Sequence, residues 1–81
     1  MKKYQEIIFI QGEEANEPLE ILDNEGEEKA IEYLLQWDYG EGEVLDNKPG
    51  GSDDYIYRLD DLVLSYNDRL GYIGLVRVIT D

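Results

Sequence analysis

The chain alternates between short apolar runs and charged stretches, and the period of that alternation changes along its length. Residues 4–11 are rich in β-branched and aromatic side chains and are followed by a glycine, a combination that predicts a buried strand. In residues 13–23 the spacing becomes helical, because Ala15, Leu19 and Leu22 fall at i, i+4 and i+7. This segment is predicted to form a short first helix.

A second helix is predicted to begin near Glu25. Asn24 and Glu27 have the spacing of a capping box, in which each side chain accepts a hydrogen bond from the backbone amide of the other residue. One side of this helix is acidic and contains Glu25, Glu28 and Glu32. The helix is therefore expected to be amphipathic, with an acidic outer face. Its apolar stripe consists of Ala30, Ile31, Leu34, Leu35 and Trp37.

The second half of the chain is predicted to form strands. Residues 46–54 are all turn formers and indicate a surface loop. Three strand candidates follow at 55–59, 62–66 and 72–79, and their short connections favour an antiparallel meander. The predicted fold is α+β and two-layer, in the order β-α-α-β-β-β, with two helices on one face of a mostly antiparallel four-stranded sheet. The pattern leaves the position of the first strand in that sheet undecided.

A length of 81 residues is too short for two separate cores, so residues 1–81 are expected to form a single acidic α+β domain. The apolar run near the N-terminus is shorter than a signal-peptide core, and no run approaches the length of a membrane span. A cytoplasmic protein is the expectation from these features.

Charge is the strongest compositional signal. Twenty acidic residues against seven basic ones give a net charge of −13, and between Gly12 and Asp46 the only base is Lys29. Such a field repels nucleic acid and anionic membranes, and it attracts basic surfaces. We therefore expect a basic protein surface as the partner, with neither direct nucleic-acid binding nor membrane binding.

The composition removes several routes to enzyme chemistry. The chain has no cysteine and no histidine, which removes thiolate chemistry, the commonest general base and the usual transition-metal ligands. The adjacent pairs Asp53-Asp54 and Asp60-Asp61 are better explained as turn residues than as a catalytic pair, because neighbouring side chains of an extended chain point to opposite sides. We expect no enzymatic activity, no catalytic residues, no cofactor and no metal site.

The candidate binding residues lie in the acidic middle of the chain. Tyr39 falls outside the apolar stripe and is the better candidate for an exposed interface anchor, whereas Trp37 is interpreted as a continuation of the core stripe. The acidic row is either a solvated face or a surface whose charge density resembles a nucleic-acid backbone. The predicted partner-binding residues are Glu25, Glu28, Glu32, Asp38, Tyr39, Glu41 and Glu43.

The leading functional hypothesis is a non-enzymatic acidic protein-binding domain that occupies a basic surface of a protein partner. Its specific version is a nucleic-acid mimic that binds a nucleic-acid-binding protein and inhibits a nuclease or a restriction or defence system. Small phage or mobile-element inhibitors offer an analogy in charge and size only. The alternative is a small intracellular regulatory or structural interaction module, compatible with a homodimer, whose acidity serves solubility.

Overall fold

The computed structural model describes residues 3–37, 42–46 and 54–80. In this part of the chain two α-helices pack on one face of a five-stranded antiparallel sheet, which confirms the predicted α+β class. The elements in chain order are β1 (Lys3–Gln11), a 3-10 turn (Gly12–Ala15), α1 (Asn16–Glu25), α2 (Glu27–Leu35), β2 (Val44–Leu45), β3 (Tyr55–Leu59), β4 (Leu62–Asn67) and β5 (Tyr72–Thr80). None of the helices in these ranges has both the length and the apolarity that a membrane span requires.

The strand order β2-β1-β5-β4-β3 places β1 inside the sheet, beside the last strand of the chain. Tyr4 lies opposite Val78, and Ile10 lies opposite Ile73. The meander of β3, β4 and β5 is confirmed, with antiparallel pairing between successive strands. The fifth strand, β2, was not predicted, because two residues are too few to show an alternating pattern.

β1 contains a bulge at Ile7. The residues before and after Ile7 pair with two adjacent residues of β5, so Ile7 is an extra residue in the register. Such a bulge interrupts the alternation of side chains between the two faces of the sheet. Ile7 and Ile8 consequently both pack into the core beneath the helices. The next residue, Phe9, is largely exposed, and its ring lies 5.7 Å from that of Tyr72.

The main core lies between the helices and the sheet. Ile31 and Leu34 of α2 pack with Leu64, Ile73 and Leu75, and all five side chains are almost completely buried. Burial of a side chain of this size stabilises a fold by roughly 1.5–3 kcal/mol. Ala15, Leu19 and Leu22 join the same cluster, as their helical spacing predicts. On the opposite face a smaller cluster contains Tyr4, Val63 and Val76.

The predicted capping box is wrong. Asn24 lies inside α1, and the N-terminus of α2 has no side-chain cap. The two helices are instead separated by Gly26, whose backbone angles (φ 98°, ψ 175°) are accessible essentially only to glycine. The break moves Glu25 to the end of α1, so the expected acidic row does not lie on one helix.

The C-terminal end of α2 also differs from the prediction. The helix ends at Leu35, and the Trp37 N–H donates to the Leu34 carbonyl oxygen (3.0 Å) in the turn that follows. Because Trp37 lies beyond the helix, its side chain leaves the buried stripe and is 44% exposed. The interpretation of Trp37 as a core residue is therefore wrong.

Candidate protein-binding site

The three acidic residues of the predicted row are exposed but divided between two helices. Glu25 ends α1, whereas Glu28 and Glu32 lie on α2. Glu32 is also close to a base, because its Oε2 is 3.6 Å from the Nζ of Lys29. This ion pair is largely exposed and contributes little to stability. The row is therefore less continuous, and less negative near Lys29, than the sequence suggests.

The remaining predicted residues follow α2. Glu43 is exposed, and its carbonyl oxygen accepts a hydrogen bond from the Glu6 N–H (2.9 Å) just before β2. Asp38, Tyr39 and Glu41 lie outside the described residues, so their roles in binding stay predictions.

A groove of about 590 Å³ lies where α1 and the start of α2 meet β3 and β4, and we call it the acidic groove. Apolar side chains of α1, Leu19 and Leu22, contribute to its lining, and Asn16 lies at one end. Its polar character comes from four carboxylates and two phenols. These are Glu20, Asp23, Glu27, Asp68, Tyr55 and Tyr66.

Local structure explains how these side chains meet. Glu20 and Asp23 are three residues apart on α1, a spacing that places two side chains on the same face of a helix. Glu27 is the first residue of α2, where the helix dipole favours a negative charge. Tyr55 and Tyr66 are directly opposed in the β3–β4 pair, and their rings stack.

The electrostatic environment of the acidic groove is negative. Burial raises the pKa of the Tyr66 phenol, and the nearby groups Glu27, Tyr55 and Asp68 raise it further. No lysine or arginine is among the described residues that line the groove. Arg69 lies in an adjoining hollow together with Tyr55 and Asp68. A cationic side chain entering the acidic groove would therefore find acceptors and aromatic faces with no competing base in the lining.

Three of the four paired aspartates are among the described residues, two in a turn and one in a local hydrogen-bond network. Asp60 and Asp61 connect β3 to β4, and Asp61 Oδ2 lies 3.5 Å from Nε of Arg77. Asp54 accepts hydrogen bonds from Asn67 Nδ2 (3.3 Å) and from the Tyr72 hydroxyl. Asp53 lies outside the described residues. Within the described ranges, no three potential ligands form a cluster suited to a metal ion.

The stacked pair Tyr55 and Tyr66, which lines the acidic groove, was not predicted from the sequence, although the hairpin contains a signal for it. A two-residue turn at Asp60-Asp61 pairs Leu59 with Leu62, and counting outward from that pair brings Tyr55 opposite Tyr66. The approach of α1 to this hairpin has no local signal.

No protein-family model, curated protein or solved structure was found to match the chain.

Proposed function

We propose that this protein is a non-enzymatic binding protein that occupies a basic surface of a protein partner and holds a basic side chain in the acidic groove. The observation that carries this proposal is the composition of the groove lining. Four carboxylates and two tyrosines converge there from three parts of the chain. Such a lining fits a cation far better than an anion or a neutral apolar ligand.

Arginine suits this groove for a physical reason. Its planar guanidinium pairs with carboxylates through two parallel hydrogen bonds and stacks on aromatic faces. Tyr55 supplies an exposed ring, while Glu20 and Asp23 supply acceptors on the facing helix. A lysine would gain the charge attraction but not the bidentate geometry.

The net charge of −13 supports the proposal at longer range. A strong field of one sign steers an oppositely charged partner and increases the association rate. Nucleic-acid mimicry is the specific version that we propose. It is supported by exposed carboxylates such as Glu20, Asp23, Glu28 and Glu32 on two successive helices, because helical neighbours about 5–6 Å apart give a dense row of negative charge.

The first experiment identifies the partner and measures its salt dependence. The protein is immobilised and used for affinity capture from host lysate at low and at high salt. Under the proposal, a nucleic-acid-binding protein is retained at low salt and lost as salt rises. Labelled DNA and this protein should also compete for binding to that partner. A partner that stays bound at high salt and is not displaced by DNA would favour the alternative of an interaction module.

A pair of charge-matched variants then locates the site. One carries Glu20→Gln, Asp23→Asn and Glu27→Gln in the acidic groove. The other carries Glu25→Gln, Glu28→Gln and Glu32→Gln outside it, and both lose three charges. We expect the groove variant to lose partner affinity much more than the outer variant. Equal losses of affinity would mean that only total charge matters. A greater loss in the outer variant would show that the partner binds the predicted acidic row instead of the acidic groove.

A further inference from the structure

The acidic groove is larger than a single arginine side chain requires. Its volume of about 590 Å³ lies in the range of cavities that enclose drug-sized ligands. Along α1 its lining extends from Asn16 to Asp23, which is about two turns of the helix, or about 10 Å. Neighbouring side chains on one face of a helix are about 5–6 Å apart. The groove is therefore long enough to accept two side chains.

The four carboxylates of the groove form two pairs. Glu20 and Asp23 lie about one turn apart on α1, and both are exposed. Glu27 and Asp68 come from different elements, the start of α2 and the turn between β4 and β5. Both lie near the Tyr66 phenol, because the charge of each contributes to raising its pKa. The first pair thus belongs to the helical wall, and the second pair lies beside the phenol.

One guanidinium group cannot satisfy both pairs. Its planar fork has N–H donors for two bidentate contacts with carboxylates. A single arginine would therefore leave two of the four carboxylates unpaired in the same groove. Like charges at close range repel each other, so a second cation in the groove is favoured.

Arg69 limits how many cations the site accepts. It lies in the hollow that adjoins the acidic groove and that also contains Tyr55 and Asp68. A third cation beyond Asp68 would meet this positive charge, whereas the described residues of the groove lining include no lysine or arginine. The charge pattern therefore fits two neighbouring cations better than a longer basic run.

We propose that the acidic groove binds two arginines that belong to one segment of the partner protein. The first arginine pairs with Glu20 and Asp23 on α1. The second lies between Glu27 and Asp68, beside the Tyr66 phenol. This inference rests on the proposed function, and it adds the number and the spacing of the basic residues that the partner presents.

The spacing follows from the length of the groove. Side chains on one side of a segment are about 5–7 Å apart, at i and i+4 of a helix or at i and i+2 of a strand. Either arrangement brings two guanidinium groups into a groove about 10 Å long. A second copy of this chain would instead bring another net charge of −13 to an acidic site.

The probe is a short capped peptide with two arginines separated by one serine, titrated into the intact protein at low salt. Calorimetry measures its affinity, and amide NMR locates it, with the largest shifts expected at Glu20, Asp23, Glu27 and Tyr66. A peptide with citrulline in place of one arginine keeps the shape and loses one charge, and its affinity should fall about tenfold or more. Lysine at that position keeps the charge and loses the fork, so the affinity should fall less, about threefold.

The citrulline peptide separates this inference from the proposed function. Its remaining arginine should still shift the groove residues, as the proposed function requires. Equal affinities of the two peptides, with shifts confined to the groove, would overturn the two-arginine inference and leave the proposed function standing. The absence of groove shifts with both peptides would contradict both.

Three charge-matched variants, each lacking two carboxylates, assign the two positions. They are Glu20→Gln with Asp23→Asn, Glu27→Gln with Asp68→Asn, and, as a control outside the groove lining, Glu25→Gln with Glu28→Gln. Each groove variant keeps only one pair, so the diarginine and citrulline peptides should bind it with affinities within about twofold of each other. The control should keep the advantage of about tenfold. An advantage that persists in both groove variants would show that the second arginine binds elsewhere.

Tyr66 gives a readout on the unaltered protein. A guanidinium between Glu27 and Asp68 places a positive charge beside the phenol, so the diarginine peptide should lower the pKa of Tyr66. Arginine suits this measurement because it stays charged throughout the titration of a tyrosine. Absorbance titration with and without saturating peptide measures the change, and Tyr66→Phe identifies the group. An unchanged pKa in the saturated protein would overturn the placement of the second arginine.

Discussion

Tyr55 stacks on Tyr66, with ring centroids 5.4 Å apart and planes 25° from parallel. The two residues are directly opposed across β3 and β4, but their surroundings differ. Tyr55 is 61% exposed, whereas Tyr66 is half-buried beside Glu27 at the start of α2. The stack therefore joins the hairpin to the helical layer and forms one wall of the acidic groove.

The pKa of Tyr66 reports on this arrangement. Glu27→Gln removes one of the charges that raise it, so we expect the pKa to fall while burial keeps it above the ordinary value of 10.0. Absorbance titration of tyrosinate measures the change, with Tyr66→Phe identifying the group. Glu28→Gln is the control, because it removes the neighbouring charge that does not contribute to the shift. Equal shifts in the two variants would contradict the placement of Glu27.

The raised pKa also predicts how stability changes with pH. The folded state holds the Tyr66 proton to a higher pH than the unfolded state does, because burial disfavours the phenolate. The contribution to stability is therefore complete below the ordinary pKa of 10.0 and is lost as pH rises through the folded-state pKa. Denaturant unfolding across this pH range should show a smaller loss in Tyr66→Phe. An identical pH dependence would show that Tyr66 is not the linked group.

Leu34 tests the packing of α2 on the sheet. Its side chain is completely buried, so Leu34→Ala should lower the free energy of unfolding by about 2–5 kcal/mol through loss of burial and creation of a cavity. Leu70→Ala is the matched control, because Leu70 is 65% exposed and should change stability by less than about 0.5 kcal/mol. Denaturant unfolding measures both, and comparable losses would be inconsistent with this core.

Gly26 and Asn24 distinguish the observed helix junction from a capping box. Gly26→Ala forces a side chain into a backbone region used almost only by glycine and should cost about 1–3 kcal/mol. Asn24→Ala should be close to neutral, because Asn24 lies inside α1 and caps no helix. A capping box would instead make Asn24→Ala cost about 1 kcal/mol. Thermal or denaturant unfolding of the two variants decides between the arrangements.

Asn67 is a buried polar residue on which the β4–β5 turn depends. Its Oδ1 accepts a hydrogen bond from the Leu70 N–H (2.9 Å), and its Nδ2 donates to Asp54 (3.3 Å). Asn67→Ala should cost about 1–3 kcal/mol, because it leaves the Leu70 amide without its acceptor. Asn67→Asp keeps that acceptor but sets a second carboxylate against Asp54, so it should recover only part of the loss. No loss in the alanine variant would contradict this network.

The charges of the predicted acidic row should contribute little to the stability of the fold. Replacing Glu25, Glu28 and Glu32 by glutamine changes three exposed positions and keeps side-chain size and helix propensity nearly constant. We expect each replacement to change the free energy of unfolding by less than about 0.5 kcal/mol. A replacement that relieves repulsion between like charges should increase this free energy slightly. A large loss would mean that these carboxylates make structural contacts.

The sequence by itself determined the elements that depend on local periodicity. The strands predicted at 55–59, 62–66 and 72–79 and the helical spacing of Ala15, Leu19 and Leu22 appear in the structure as expected. The short turn at Asp60-Asp61 was enough to predict the hairpin, although the Tyr55–Tyr66 pair that follows from its register was not predicted. These features were predictable because side-chain period and turn length act over a few residues.

Only the tertiary structure decided where those elements meet. The position of β1 beside β5, the β2 pairing and the approach of Glu27 to Tyr66 join residues far apart in the chain. The break at Gly26 overrode a good capping pattern, and the end of α2 at Leu35 exposed Trp37. Local patterns indicate which side of an element is apolar, but neighbours and grooves depend on how several elements share one core. The acidic groove arises at that level, because it combines a hairpin with carboxylates on helices that no local spacing connects to it.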